Sequence, residues 1–177
     1  MSASINTASW KAPQFHSLTP YMAVPDCKSA LAFYAKAFDA KEKLVLTSPA
    51  DSTKICHAEI IIGDSVIMLS DECPEMKHFS AAQYKGSPIS FMIYVPDVDS
   101  TIQKAVKAGA TLEKEVKDMF YGDRSGGIKD PFGISWSVST HVREVSKEEC
   151  DLAMKNMKCD ATNPKDNTGA NCQNGTK

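Results

Sequence analysis

What this chain lacks narrows its biology before any motif is considered. Its six cysteines include no C-x-x-C pair, which removes the zinc-knuckle and thioredoxin-type readings. A chain of 177 residues, 42% of them hydrophobic, can build one core without covalent staples. The thiols are therefore read as free, and the compartment as cytoplasmic. No apolar run approaches the roughly 18–20 residues that span a bilayer, so no membrane partner is expected. Lysine and arginine nowhere cluster, and the net charge is −2, which argues against nucleic acid as a partner. Residues 1–14 hold one lysine, no arginine and no apolar stretch. They are read as an untargeted flexible arm rather than a secretory signal.

What the chain does contain is a repeat. Val24-Pro25-Asp26 returns as Val95-Pro96-Asp97, an offset of 71 residues, and Lys36-Ala37 and Glu42-Lys43 return at the same distance as Lys107-Ala108 and Glu113-Lys114. Gly63 and Gly133 correspond at an offset of 70. Around these anchors each half reads alike. A strand (16–24, then 87–95) ends at Pro-Asp, and Asp26 and Asp97 are natural helix N-caps. The first helix then carries Ala30, Leu31, Phe33, Tyr34, Ala37 and Phe38 on one face, the second Ile102, Ala105, Val106 and Ala110. Three strands follow in each half: 43–46, 55–62 and 65–69, then 111–116, 125–129 and 134–141. The unit is βαβββ, twice, in a domain over 15–145 with modules at about 15–75 and 86–145. The concave face of the sheets, where the two halves would enclose a cavity, is the expected site of chemistry. Ser146-Lys147-Glu148-Glu149 reads as a capping box opening a terminal helix over 146–158, and 159–177 reads as a disordered tail.

With that pattern in place, particular residues point to a family. Thr19-Pro20-Tyr21, Phe33-Tyr34, His57-Ala58-Glu59 and Ile67-Met68-Leu69-Ser70-Asp71 belong to the first half. Tyr121-Gly122-Asp123-Arg124, Lys129-Asp130-Pro131-Phe132-Gly133, Trp136 and Thr140-His141-Val142 belong to the second. Over about residues 16 to 155 the chain resembles the vicinal oxygen chelate superfamily of glyoxalases, bleomycin-resistance proteins and dioxygenases, in its PhnB-like branch. The resemblance implies an α+β fold, two βαβββ modules making a curved mixed sheet or half-barrel with helices outside. It also implies a homodimer whose subunits share or exchange halves. Enzymes of that superfamily hold a divalent ion with side chains from the first and last strands of each half, as a Lewis acid. The matching positions here are Thr19, Met68 (Ile67 if the register slips by one), Ser90 and Ser137. None is a usual ligand, so no metal cofactor is favoured and classical glyoxalase I activity is not expected.

Other residues keep chemistry open. His57 and Glu59 share a strand face, and His141 follows the last strand with Asp71 at the matching place in the first half. Together they have the composition of a displaced metal site. Arg124 is either one half of an ion pair with Asp130 or a clamp on an anionic or carbonyl-bearing ligand. The catalytic candidates are thus His57, Glu59, Arg124 and His141. Tyr21, Tyr94, Phe91, Tyr121 and Trp136 are either core or cavity wall, with Trp136 and Phe91 preferred as walls, while Thr19, Ser90 and Ser137 offer hydroxyls. Cys56 and Cys73 are read as inert. The favoured reading is metal-independent binding of a small hydrophobic or planar ligand. The alternatives are a metal-dependent lyase, isomerase or dioxygenase with displaced ligands, and a non-catalytic interaction module with a filled cavity.

Overall fold

The computed structural model describes residues 10–156, so the first nine residues of the arm, residues 157–158 of the expected terminal helix and the tail lie outside the described residues. Strand β1 (Tyr21–Val24) stops at Asp26, whose extended backbone lets its carboxylate accept the Ser29 amide at 3.0 Å and cap helix α1 (Cys27–Phe38). The apolar face foreseen for α1 is buried, Tyr34 and Ala37 completely. Strands β2 (Lys41–Thr47), β3 (Ile55–Ile62) and β4 (Ser65–Asp71) follow, with Gly63 at φ +60° making the β3–β4 hairpin. A connection with two short 3-10 turns leads to the second copy. There β5 (Ser90–Tyr94) precedes α2 (Val98–Lys107), capped by Asp97 through the Ser100 amide at 3.1 Å. Strands β6 (Thr111–Asp118), β7 (Asp123–Lys129) and β8 (Ser135–His141) close the module. Helix α3 (Lys147–Asn156) opens on a reciprocal box: Glu149 N donates to Ser146 Oγ and Ser146 N to Glu149 Oε2. No helix among the described residues is long and apolar enough to cross a membrane.

Each module is a four-stranded mixed sheet, ordered β1-β4-β3-β2 and β5-β8-β7-β6, with only β1/β4 and β5/β8 parallel. The repeat offset drifts along them. The β2–β3 connection spans seven residues and the β6–β7 connection four, whereas the last hairpin is longer in the second module. Ile93 therefore lies 71 residues from its counterpart Met22, but Val138 lies 69 from Leu69. The true counterpart of Asp71 is Thr140, not His141. Both side chains accept the first amide of their helix, Cys27 N to Asp71 Oδ1 and Val98 N to Thr140 Oγ1. Asp71 Oδ2 also accepts Ile55 N at 2.6 Å, so this buried carboxylate is structural.

The modules meet through their helices. Helix α1 packs on α2, Phe33 meets Phe132 edge-on at 6.0 Å, and Phe38 lies 4.8 Å from Trp136, giving one continuous core. Asp130 pins this contact. It accepts Tyr34 Oη (2.7 Å), Trp136 Nε1 (2.9 Å) and the Phe132 and Ile134 amides (2.9 Å each). Because helices and aromatics hold the inter-module contact, the helix-free face of each sheet looks to solvent. Tyr21 is 47% exposed there, Met92 52% and Tyr94 61%. The cavity expected between the two sheets is therefore not closed within one chain.

Candidate functional site

Strand alternation sorts the candidate residues, since neighbours along a strand point to opposite faces. In β8, Trp136 and Val138 join the core, which leaves Ser135, Ser137 and Ser139 on the open face. In β5, Phe91 and Ile93 pack against that core while Ser90, Met92 and Tyr94 face out. Trp136 and Phe91 therefore cannot be walls of the open face, as the sequence suggested. Trp136 is 3% exposed, bonded to Asp130 and packed on Tyr34, Phe38 and Phe91. Both instead border a cleft of about 920 Å³ between the β3–β4 hairpin and β5, together with Ile61, Ile67 and Tyr94.

Arg124 is also misplaced by the sequence reading. It stands between Asp123 and Ser125 on the helix side. Its Nε and Nη2 clasp both oxygens of Asp99 at 2.7 and 2.8 Å, and its Nη1 reaches Asp118 at 3.1 Å. Those carboxylates raise its already high pKa. The fork is used on the first turn of α2, so Arg124 is neither a partner of Asp130 nor a clamp on the open face.

On the open face of the first module the structure assembles a cluster. Tyr21 of β1, Met68 of β4 and Glu59 of β3 lie in one row across the sheet, and Ile67 turns into the core, which settles the register at Met68. His57, two residues before Glu59, shares its face. Its Nε2 lies 3.4 Å from Glu59 Oε1 and its Nδ1 3.3 Å from the Tyr21 hydroxyl. Lys43, on the neighbouring strand β2, bonds Glu59 Oε2, and its ammonium lies 4.5 Å from the Phe15 ring centroid. The Lys43 bond, then His57, holds the Glu59 carboxyl below its ordinary value against the burial that would raise it. His78, brought in where a bridge between Cys73 and His78 folds the connection back, stands edge-on to Tyr21 at 5.6 Å and meets Ser70 Oγ through Nε2 at 3.0 Å.

The second module carries a different cluster at the end of its sheet. The buried Asp123 carboxylate accepts the Tyr94 hydroxyl at 2.8 Å and pairs with His141 Nδ1, also at 2.8 Å. The Asp123 hydrogen bond raises the pKa of His141, and of Tyr94 in turn. Beside them Ser139 Oγ donates to Ser125 Oγ at 2.8 Å.

His57 and His141 thus belong to separate sheets with separate carboxylates, and the displaced metal set drawn from both is not assembled in one chain. Among the described residues no three His, Cys, Asp or Glu side chains stand close enough to hold an ion. The four positions matching the superfamily's ligands do not fit one either. Thr19 Oγ1 donates to the His16 carbonyl at 3.2 Å, Ser90 is exposed beside Ser135, Ser137 pairs with Met92, and Met68 offers only a thioether. The carboxylate beside Met68, Glu59, already carries an ammonium.

The sequence reading missed Lys43, His78 and Asp123. Lys43 was visible only as a repeat marker, and its pairing with Glu59 depends on a bulge in the β2–β3 register between Glu42 and Leu44. Asp123 appeared only within a motif. That Asp123 and His141 are register partners across β7 and β8 required the strand ends.

The family model for the Glyoxalase/Bleomycin resistance protein/Dioxygenase superfamily matches residues 14–138. The chain belongs to this superfamily. Among superfamily relatives, an uncharacterized protein of Mycobacterium bovis is 39% identical over 141 residues, which cover 78% of this chain and 91% of that one. The X-ray structure of an Arabidopsis thaliana gene product matches with a TM-score of 0.56 at 27% identity, over 71% of this chain and 98% of that one. A Bacillus cereus structure described as a PhnB protein and putative 3-demethylubiquinone-9 3-methyltransferase shares the fold (TM-score 0.54, 14% identity, 71% of this chain and 99% of that one).

Proposed function

We propose that this member of the glyoxalase/bleomycin-resistance superfamily binds a small, planar, largely apolar ligand on the open sheet faces without a metal ion. The reading includes the PhnB-like branch, a cytoplasmic location and a homodimer in which a second copy covers the faces that one chain leaves exposed. One observation carries it: exposed Tyr21 and Met92 and half-buried Met68 present aromatic and thioether surface in the rows where a chelating set would stand, with exposed Tyr94 two residues farther along β5. Flat rings and polarizable sulfur suit a planar guest. Exposed apolar surface on paired sheets also favours burial against a second copy.

Two measurements test this. Sedimentation at high micromolar concentration is expected to give a dimer, and Met92→Glu a shift toward monomer. A thermal-shift screen of planar aromatic and carbonyl compounds is expected to give stabilisation, about 2.7 kcal/mol when the ligand stands at 100 times its Kd. A monomer at all concentrations together with no shift by any compound refutes the reading.

A further inference from the structure

We infer that the cleft between the modules is a binding site of its own, for an α-amino acid with an apolar or aromatic side chain. It runs along the free edge and inner side of β5 and needs nothing bound on the open faces.

The cleft exists because the second helix fills less space than the first. Helix α1 buries Phe33, Tyr34 and Phe38, and the inward residues of β1, Met22 and Val24, are buried with them. At the repeat offset of 71 the places of those three rings fall on Lys104, Ala105 and Gly109. The counterparts of Met22 and Val24, which are Ile93 and Val95, are left half-buried together with Phe91, and all three line the cleft. Phe38 and Ile67 of the first module and Trp136 of β8 complete an apolar wall. The volume of about 920 Å³ matches small-molecule pockets, which run to roughly 300–1,000 Å³. An apolar side chain entering it leaves water for a surface already made of rings and branched chains.

Two charges of opposite sign stand at the hairpin end of the same cleft. Lys41 is the register partner of Ile61, and Asp64 occupies the turn between β3 and β4. Both are exposed, and among the described residues Lys41 makes no ion pair or side-chain hydrogen bond. Asp64 accepts Ser65 Oγ through Oδ1 at 2.9 Å and keeps Oδ2 open. The other lining carboxylate, Asp39, is taken by Lys104 at 3.0 Å. Helix α1 ends at Phe38 in this wall, and the partial negative charge of its last carbonyls favours a cation there. A lone ammonium and a half-used carboxylate beside an apolar wall match a zwitterion. The ligand's carboxylate meets Lys41, its ammonium meets Asp64, and its side chain lies on the Phe91 and Trp136 wall. A simple anion or cation would leave one of the two charges unanswered. Exposed charge pairs contribute little affinity, so the wall supplies the binding and the two charges supply the selection.

The test is calorimetric titration of the full-length protein with L-phenylalanine and three analogues, each lacking one recognised part. These are 3-phenylpropionate without the ammonium, phenethylamine without the carboxylate, and glycine without the side chain. L-phenylalanine is expected to bind about 5-fold tighter than 3-phenylpropionate or phenethylamine, the scale of one exposed charge pair. Its advantage over glycine should be at least about 10-fold, the scale of burying the ring. Lys41→Met should weaken L-phenylalanine without weakening phenethylamine. Asp64→Asn, which keeps the oxygen that accepts Ser65 Oγ, should weaken it without weakening 3-phenylpropionate. Absence of L-phenylalanine binding, equal binding of any analogue by the wild-type protein, or L-phenylalanine affinity unchanged in both variants overturns the assignment. The wild-type comparison needs no variant to fold.

Discussion

Replacing Asp130 with alanine separates the modules at a polar contact buried between them. In the native chain this carboxylate, 4% exposed, accepts four hydrogen bonds, three from its own module and the fourth from Tyr34 of α1 in the other. Alanine leaves a tyrosine hydroxyl, an indole N–H and two amides facing one another around the vacated carboxylate position. Each stranded donor costs about 1–3 kcal/mol, less when neighbours relax together, so the summed penalty for Asp130→Ala is about 3–5 kcal/mol. Tyr34→Phe removes one donor and keeps the ring packed on Phe33, Phe38 and Trp136. Its cost is about 1–2 kcal/mol. Because both changes break the same bond, the double variant should lose less than the sum of the two. Urea unfolding followed by Trp136 fluorescence and far-ultraviolet circular dichroism, at one fixed protein concentration, reads these values. A loss below about 1 kcal/mol for Asp130→Ala, or strict additivity in the double variant, would show that the aromatic stack alone joins the modules.

Two further outcomes follow from the second module. In a titration followed by proton NMR, His141 should protonate above its ordinary value and fall back toward it in Asp123→Asn, since the Asp123 bond is the main cause of the shift. With a folded pKa raised above the unfolded one, this contribution to stability is complete below about pH 6.5 and is lost as pH rises through the folded pKa. An unchanged His141 titration in Asp123→Asn would contradict the pairing. Gly122 sits at φ +97°, where an added Cβ would come within 2.2 Å of the Arg143 carbonyl oxygen. Gly122→Ala should therefore destabilise by about 2–4 kcal/mol in the same urea assay, and a neutral effect would mean that the turn before β7 is not held as described.

The architecture was legible because it rests on local rules repeated twice. The Pro-Asp punctuation, the two aspartate caps, the α1 face and the Ser146–Glu149 box all stand where the residues placed them, since each depends on neighbours within four positions. The site was legible only in fragments. His57 and Glu59 share a face by simple alternation. Trp136 and Phe91 were assigned to the same wall as Ser137 and Ser90, although adjacent strand residues face opposite ways. Pairing Asp71 with His141 failed because the connections before β7 and β8 differ in length from those before β3 and β4, a change invisible in an offset measured at the helices.

The sequence by itself determined the two βαβββ modules and the absence of the usual chelating side chains from their first and last strands. Only the tertiary structure decided what stands there instead. Lys43 reaches Glu59 through a bulge, His78 reaches Tyr21 through a folded connection, and His57 and His141 are held on different sheets. Helix caps and strand alternation act over a few residues and leave their mark in the order of the chain. Convergence of side chains from four separate segments depends on register, connection length and module packing, which no local pattern encodes.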